Sequence, residues 1–477
     1  MNTHMDLPMY IGGERVRTAA PVDVTLPYDG SRVGVVYRAE AGHVDRAVEA
    51  AVQAGPAMRA LTRDERSAIL RRAHAALLER RDAMASAIVA ECGKPIREAR
   101  IEVERASYTL LFSSEEAHRL AGEVVPMDAE PAGKNHFAMT VREPVGVVAA
   151  ITPFNFPLNL AMHKIGPALA AGNTVVHKPA SATPLSGLLM AEIFEECGLP
   201  KGALNVVTGP GGEIGDLLTL HPRVNMITFT GSPEVGLRIR SMAGMKRVTL
   251  ELGNNAAVIV DQDADLAEAA ARCVAGAFAH SGQVCISVQR VYVNRRVRND
   301  FLDAMSEGAR KLAVGHPREN STDISSLITV AEADRVGGWI REALDAGATL
   351  VTGGDRVQRA TITPAVLADV PESARLMCKE VFGPVVGVNS FDALDQAIEA
   401  VNRSEYGLQA GIYTRDISRA FHAAERVHVG GFMINEIPQY RVDQMPYGGV
   451  KLSGTGREGP RYAIEEMTEP KLICWKI

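Results

Sequence analysis

Apolar and polar positions change period along the chain. At the start, YIGGERV and VTLPYDGSRVGVV alternate apolar with polar residues around Gly and Asp-Gly turns, which predicts short strands. From Ala41 to Leu120 the period lengthens. LTRDERSAILRRAHAALLERRDAMASAIVAECG repeats apolar residues every three or four positions, with Arg and Glu on the opposite side, which predicts amphipathic helices. Arg63, Arg66, Arg71, Arg72, Arg80 and Arg81 suggest an anion site, but a solvated helix face with charge pairs accounts for them better.

From Val145 short β-branched runs alternate with helical stretches. GVVAAIT, NTVVHKP, ALNVVTG and NMITFTG read as strands. LNLAMHKIGPALAAG, LSGLLMAEIFEECG, EIGDLLTL and PEVGLRIRSMAG read as the helices between them. That alternation predicts parallel βαβ units in an open, doubly wound sheet, with ligands at the carboxyl ends of its strands. A second series runs through AAVIV, VYVNR, ATLVTGG, VVGVNS, AGIYT and GGFMIN, and Glu251 to Asn254 marks the boundary between two lobes. The apolar terminal run KLICWKI reads as a strand that needs a partner edge, expected from another subunit. No internal repeat or low-complexity segment is visible.

Composition narrows the class. The 477 residues are 46% apolar and 23% charged, with 43 Gly and 25 Pro, which excludes collagen, a mucin stalk, a coiled coil and a disordered tail. A formal charge of −6 argues against a duplex nucleic-acid partner. No apolar run is long enough to span a membrane, and MNTHMDLPMY has no secretory pattern. The six cysteines, Cys92, Cys197, Cys273, Cys285, Cys378 and Cys474, form no CxxC pair, so a reduced, cytoplasmic protein without a metal site is expected.

Several stretches carry candidate chemistry. A lone cysteine is most often a small buried apolar residue. Cys285 in FAHSGQVCISVQR differs in its setting: Gly282 permits close backbone approach at a loop or helix start, where free N–H groups favour a thiolate and bind an oxyanion. Glu251 ends a β-type run in VTLELGNNA; it is either a solvated strand-end carboxylate or a buried general base. Asn155 in AAITPFNFPLNL is either a turn residue or an amide donor to an oxyanion. Lys178 follows a strand and precedes Pro179, where a lysine is solvated or meets a nucleotide. Gly231-Ser232 opens a helix, a natural phosphate seat. Neither it nor GPGGEIG, Gly209 to Gly215, has the spacing of the dinucleotide fingerprint.

Taken together, these stretches resemble the NAD(P)-dependent aldehyde dehydrogenase superfamily over nearly the full length. The resemblance lies in ITPFNFPLNLAMHKIGPALAAGNTVVHKPASATPLS, ITFTGSPEVG, LELGNNA, SGQVC, KEVFGPVV, NRSEYGLQAGIYT and MPYGGVKLSGTGREG, and in their order. The branch it is most similar to acts on lactaldehyde, phosphonoacetaldehyde or, without phosphorylation, glyceraldehyde 3-phosphate. The resemblance implies an α/β fold with a Rossmann-type cofactor domain (1–122 and 144–253), an α/β catalytic domain (254–445) and bridging segments (123–143 and 464–477) that make a homodimer or homotetramer. It implies that Cys285 is the nucleophile, that Asn155 and the Cys285 N–H form the oxyanion hole, that Glu251 activates water, and that Lys164 lies near the oxyanion. NAD or NADP would meet Ile151, Thr152, Pro153, Lys178, Ser181, Gly211, Gly215, Phe229, Gly231, Ser232, Leu252, Glu380 and Phe382. Of these, Lys178 would take the adenosine ribose, Ser232 the pyrophosphate and Glu380 the nicotinamide ribose, with Phe382 near the nicotinamide.

Two positions depart from the pattern. Ser181 stands where many NAD-preferring relatives carry Glu; without that carboxylate a 2′-phosphate is not repelled, so dual cofactor use is expected. LELGN replaces LELGG, which changes the turn after Glu251. For the substrate, aromatic residues are only 5% of the chain and NEIPQYRVDQ offers no broad aromatic wall, so a short polar or anionic aldehyde is expected. Arg441, Arg105, Tyr108, His163, Val284 and Ile286 are the candidate contacts, although a salt bridge suits each arginine slightly better than a substrate contact. Val284 stands where some phosphate-handling relatives have Arg. Phosphonoacetaldehyde is the first expectation and lactaldehyde, glycolaldehyde or glyceraldehyde 3-phosphate the alternative. A CoA-acylating enzyme has no need of Glu251, and a non-catalytic binding protein has no need of the set Cys285, Glu251, Asn155 and Lys178.

Overall fold

The strand–helix alternation after Val145 folds as a doubly wound sheet in the computed structural model, which describes residues 5–477. Five parallel strands form its centre, in the spatial order Arg247–Glu251, Met226–Thr230, Val147–Ile151, Thr174–Lys178 and Leu204–Val206. Val147–Ile151, Thr174–Lys178 and Met226–Thr230 are buried at every position, because helices cover both faces of the sheet. On one face Val44, Val48, Val176, Ile227 and Ile239 pack together. On the other, Leu70, Val103, Leu110, Ile165 and Val175 do so.

From Val147–Ile151 the chain steps outward to Thr174–Lys178 and Leu204–Val206. It then crosses back to Met226–Thr230 on the other side of the first strand. At such a reversal the adjacent connections leave in opposite directions, and a crevice opens beyond the carboxyl ends of the strands. Thr152, Gly231 and Leu252 follow directly from those ends.

A second sheet has seven strands, in the order Thr349–Thr352, Ala365–Ala368, Val385–Phe391, Arg290–Asn294, Ala257–Val260, Gln409–Tyr413 and Gly431–Ile434. All its pairings except the first are parallel. The chain leaves the first sheet at Glu251 and enters the second at Ala257. It also comes back. Gly454–Thr455, in a stretch outside both expected lobes, pairs antiparallel with Arg247–Glu251. Ser453 Oγ donates to the Gly253 carbonyl (2.7 Å), and Leu252 N–H donates to the Ser453 carbonyl (2.9 Å). A two-residue strand has no periodicity to read, which is why the sequence does not announce this return.

The terminal strand Thr468–Lys476 pairs along its length with His136–Pro144, which also carries Val124–Val125. The partner edge expected from another subunit is therefore supplied by the same chain. Beyond Thr468 this strand is exposed throughout, Leu472, Ile473 and Trp475 included.

Four arginines of the helical layer tie its helices to one another. Arg66 donates to the carbonyls of Ala170 (2.9 Å) and Leu61 (2.8 Å), Arg72 donates to that of Cys197, Arg80 pairs with Glu196 and Arg81 with Glu104. Among the described residues no helix is long and apolar enough to cross a membrane, and no group of three His, Cys, Asp or Glu residues is placed to hold a metal ion.

Candidate active site

The loop bearing Cys285 is set by unusual backbone. After helix Leu266–Phe278, His280 (φ 48°), Ser281 (φ 54°) and Gly282 (φ 74°) all take left-handed conformations. The two non-glycine residues cost about 1–3 kcal/mol each. Their surroundings hold them there: Ser281 Oγ donates to the Ser325 carbonyl (2.9 Å), Gln283 Nε2 to the His280 carbonyl (3.2 Å), and Ile328 N–H to Gln283 Oε1 (2.9 Å). At Gly282 a Cβ would lie 2.0 Å from the Gly383 carbonyl oxygen, so only glycine fits. Cys285 itself lies in a turn closed by Ser287 N–H on the Val284 carbonyl (2.9 Å), and the chain then enters strand Arg290–Asn294. No helix starts at this cysteine, so of the loop or helix start expected from the sequence the loop is the one found. No helix dipole lowers its pKa.

The thiol is consequently neutral at rest. Burial pushes it up to about 11, while the Tyr447 hydroxyl, with Oη 2.9 Å from Sγ, and the Arg441 guanidinium pull the other way. Val284, Ile286, Leu408 and Tyr447 form a small apolar cluster against which Cys285 and Phe156 pack.

Asn155 is 3% exposed. Its Nδ2 donates to the Gln283 carbonyl (2.8 Å), which ties the loop after Val147–Ile151 to the cysteine loop. Glu251, at a strand end, is 2% exposed, and neither carboxylate oxygen has a hydrogen-bond partner among the described residues. Burial first, then the neighbouring Glu458, raise its pKa well above the usual carboxylate value. Of its two sequence readings, the solvated one is thereby excluded. Tyr447 touches the Cys285 sulfur, and a Cβ on the next residue, Gly448, would sit 2.9 Å from Glu251 Oε1; one short segment thus borders both groups.

Lys164 is fully buried and spends its charge locally: Nζ donates to Glu458 Oε1 (2.6 Å) and Thr230 Oγ1 (2.7 Å). The arginines expected at the substrate site are both paired. Arg105 forks onto Asp443 (2.9 and 3.2 Å) and is one chain-crossing contact from His163, whose Nε2 is 2.9 Å from Asp443 Oδ1. Burial lowers the His163 pKa, so its imidazole is neutral. Arg441 is buried. Its Nη2 lies 3.4 Å from Glu458 Oε2 and 3.2 Å from His163 Nε2, its guanidinium stacks 3.6 Å over the Tyr447 ring, and its Nε has no partner. Tyr108, 45% exposed, stacks on Phe112 and joins none of these contacts.

The residues expected to meet a dinucleotide lie at the carboxyl ends of the first sheet and on the facing loops of the second. Lys178 is buried, its Nζ donates only to the Pro179 carbonyl (3.0 Å), and burial lowers it to about 8. A buried ammonium with donors to spare suits ribose hydroxyls. Ile151, Phe229 and Leu252 belong to the apolar core beneath the crevice. Thr152 Oγ1 is 2.9 Å from His177 Nε2, and Pro153 continues the same loop. Gly231 and Gly236 are required by contact: a Cβ would lie 2.5 Å from the Phe229 ring and 2.4 Å from Leu252. Ser232 caps helix Pro233–Met242, accepting from Val235 N–H (3.4 Å).

Gly211–Gly215 forms one wide helical turn ahead of Asp216–Leu220, with open space at Gly211 and Gly215. Ser181 is exposed and donates to the Gly209 carbonyl (2.8 Å). On the second sheet Glu380 accepts from Asn254 N–H (2.9 Å), and burial raises it to about 7. Phe382 (φ 50°) meets Phe154 edge-on at 5.8 Å. Glu380, Phe382, Gly282 and Val284 share the walls of one cavity of about 10 Å³, so the Glu380 loop and the cysteine loop are neighbours. A spare buried ammonium at a strand end of one sheet, a half-buried carboxylate in the loop before Val385–Phe391 of the other and glycines at the points of closest approach fit a dinucleotide.

The sequence reading passed over Tyr447, Asp443 and Glu458. All three lie in or beside MPYGGVKLSGTGREG, where the one available signal is an acidic or hydroxyl side chain set among glycines.

Fold and crevice define a two-sheet α/β enzyme with a thiol, an unpaired carboxylate and a carboxamide gathered between the sheets. The aldehyde dehydrogenase family model matches residues 15–473; the chain belongs to this family and is an enzyme that oxidises aldehydes. It is 48% identical over 465 residues to 3-sulfolactaldehyde dehydrogenase of Priestia aryabhattai, covering 98% of this chain and 97% of that one. Among solved structures it resembles aldehyde dehydrogenase 21 of Physcomitrella patens in complex with the reaction product succinate (TM-score 0.96, 38% identity, 99% of each chain). It also resembles NADP-dependent glyceraldehyde-3-phosphate dehydrogenase of Bacillus halodurans complexed with NADP (TM-score 0.97, 36% identity, 99% of this chain and 100% of that one).

Proposed function

We propose that the chain oxidises a short, anionic or polar aldehyde to its carboxylic acid with NAD or NADP, through a thiohemiacetal and a thioester on Cys285. The observation that carries this reading is the unpartnered, buried Glu251 carboxylate bordering the same segment as the Cys285 sulfur. A buried carboxylate with no partner is costly and is retained where its basicity is used.

Cys285 adds as thiolate to the aldehyde carbon, and the carbonyl oxygen takes the negative charge. Asn155 Nδ2, held beside the cysteine loop, and the Cys285 N–H stabilise that charge. Bound NAD or NADP supplies the acceptor for the hydrogen and electron pair that leave the substrate carbon. Lys178 and Ser232 would hold the adenosine ribose and pyrophosphate, and Glu380 the second ribose. Glu251 then takes a proton from water, which attacks the thioester and frees the acid. Because Glu251 serves hydrolysis, acid forms without CoA. In this reading the first sheet carries the cofactor, the second the nucleophile, and Thr468–Lys476 with His136–Pro144 an oligomer contact.

Arg441 supports an anionic substrate: it is a cation acting on the thiol, and its buried Nε is unpaired. The relative named for 3-sulfolactaldehyde supports a sulfonate on a three-carbon aldehyde; phosphonoacetaldehyde presents a similar tetrahedral anion, and lactaldehyde or glyceraldehyde 3-phosphate comes behind. A panel of these aldehydes with propanal tests the reading. Arg441→Leu slows every aldehyde through its action on the thiol, but raises KM for the anionic members by about tenfold or more beyond its effect on propanal. Equal effects on both refute the anion assignment. Ser181 supports use of both cofactors; a preference for NAD by more than about a thousandfold in kcat/KM overturns that.

A further inference from the structure

We propose that the Tyr447 hydroxyl is a catalytic group that donates a hydrogen bond to the Cys285 sulfur, stabilises its thiolate, and is itself sharpened as a donor by the Arg441 guanidinium stacked on its ring. The inference rests on Cys285 being the nucleophile and adds a residue that acts on the same sulfur. Oη stands 2.9 Å from Sγ. Tyr447 is 3% exposed, and a buried phenol needs a hydrogen-bond partner. The sulfur is the one recorded for it among the described residues.

Tyr447 stays protonated, since burial and the neighbouring Cys285 push its hydroxyl far above the ordinary value. Against an ionised sulfur it can therefore only donate. Arg441 is fixed 3.6 Å over the ring by Glu458 and His163, and a cation on the ring face draws electron density from the phenol oxygen.

The charges facing the sulfur make this contact consequential. Burial opposes the thiolate, and Glu380, from the second sheet, and Glu251, from the first, add to that opposition. Tyr447 and Arg441, both on the loop before Gly448, are the groups that act the other way. They partly offset the desolvation of the half-buried sulfur. In the step itself, the thiol proton passes to water and Tyr447 keeps its own. The sulfur lone pair becomes the new C–S bond, the carbonyl π pair moves to oxygen, and the hydroxyl loses its anionic acceptor as the bond forms.

The test is the pH dependence of iodoacetamide alkylation of the full chain without substrate or cofactor, with the labelled cysteine identified by peptide mass. Tyr447→Phe removes one oxygen and keeps the ring under Arg441. The Cys285 thiol pKa should rise by about one to two pH units, and labelling at neutral pH should slow about ten- to a hundredfold. The acid limb of kcat/KM should move by the same amount. Difluorotyrosine at position 447, a stronger donor in an unchanged shape, should shift both profiles the opposite way, and it carries the test alone should the Phe variant fail to fold. Unmoved profiles with Cys285 labelled overturn the role of Tyr447. Retained dehydrogenase activity after Cys285 is fully labelled overturns instead the nucleophile assignment beneath it.

Discussion

The strand end at Glu251 and the glycine-rich return at Glu458 bury one carboxylate each, both 2% exposed, yet the two are held in opposite ways. Glu458 receives Lys164 and faces Arg441; burial alone would raise its pKa, but these two cations outweigh it and hold it below the usual carboxylate range. Glu251 has no partner, and burial and the negative Glu458 both raise it. Equal depth therefore gives opposite proton affinity. Lys164 and Arg441 act on both carboxylates, and the deciding factor is direct contact with Lys164, which Glu458 alone of the two has. The paired carboxylate is suited to holding structure and the unpaired one to moving a proton.

Breaking the unpaired side has the largest expected effect. Glu251→Gln should lower steady-state turnover by about 10²- to 10⁴-fold, while one equivalent of reduced cofactor still forms rapidly on mixing. Stopped-flow absorbance checks this, and an unchanged steady state removes Glu251 from the hydrolytic role. Breaking the paired side acts on the fold. Glu458→Gln leaves the buried Lys164 ammonium without its paired counter-charge and should cost about 3–5 kcal/mol, measured by the denaturant midpoint. A loss under about 1 kcal/mol would mean that the pair does not hold the return in place.

Asn155→Ala sharpens the contrast from outside it: a donor aimed at a developing charge costs more in rate than in folding, where the lost Gln283 hydrogen bond accounts for about 1 kcal/mol. kcat/KM should fall about 10²- to 10³-fold, about 3–4 kcal/mol in the transition state. An equal loss in folding stability would make Asn155 a clamp on the cysteine loop only.

The smallest effect is the sign of Glu251→Gln on stability. A carboxyl whose folded pKa is raised contributes stability below its unfolded value, near pH 4.5, and loses it as pH rises through the folded value. The Gln variant should thus be more stable than the parent at pH 8, by about 1–3 kcal/mol, with the gap closing toward pH 5. Glu458 runs the other way: its contribution is present above pH 4.5 and fades as pH falls. A Glu251→Gln variant less stable than the parent at pH 8 would contradict the unpaired state of that carboxylate.

The division between the two carboxylates also separates what the sequence discloses from what it conceals. Val147–Ile151 and Thr174–Lys178 are continuous β-branched runs with a helix between them, so their type and order follow from pattern alone. Glu251 is visible as the last residue of such a run. Its burial is not, because that depends on Gly454–Thr455 closing over the strand from two hundred positions away in the chain, on a segment too short to carry a period. Glu458, Asp443 and Tyr447 are hidden for the same reason. They act through partners on other elements, Lys164, Arg105 and Cys285, and no local spacing encodes those meetings. The setting of Cys285 is legible only in part: Gly282 signals a close backbone approach, which Gly383 requires, but local pattern does not choose between the loop that is found and a helix start.

The central claim is that the substrate carbon becomes bonded to the Cys285 sulfur and that Glu251 releases it. Rapid-quench peptide mass analysis of Glu251→Gln, mixed with the best aldehyde of the panel and NADP, tests this most directly. The account predicts an acyl adduct on the Cys285 peptide, formed in step with reduced cofactor and persisting for many parent turnovers. Reduced cofactor appearing with Cys285 unmodified, or an adduct that clears at the parent rate, would contradict it.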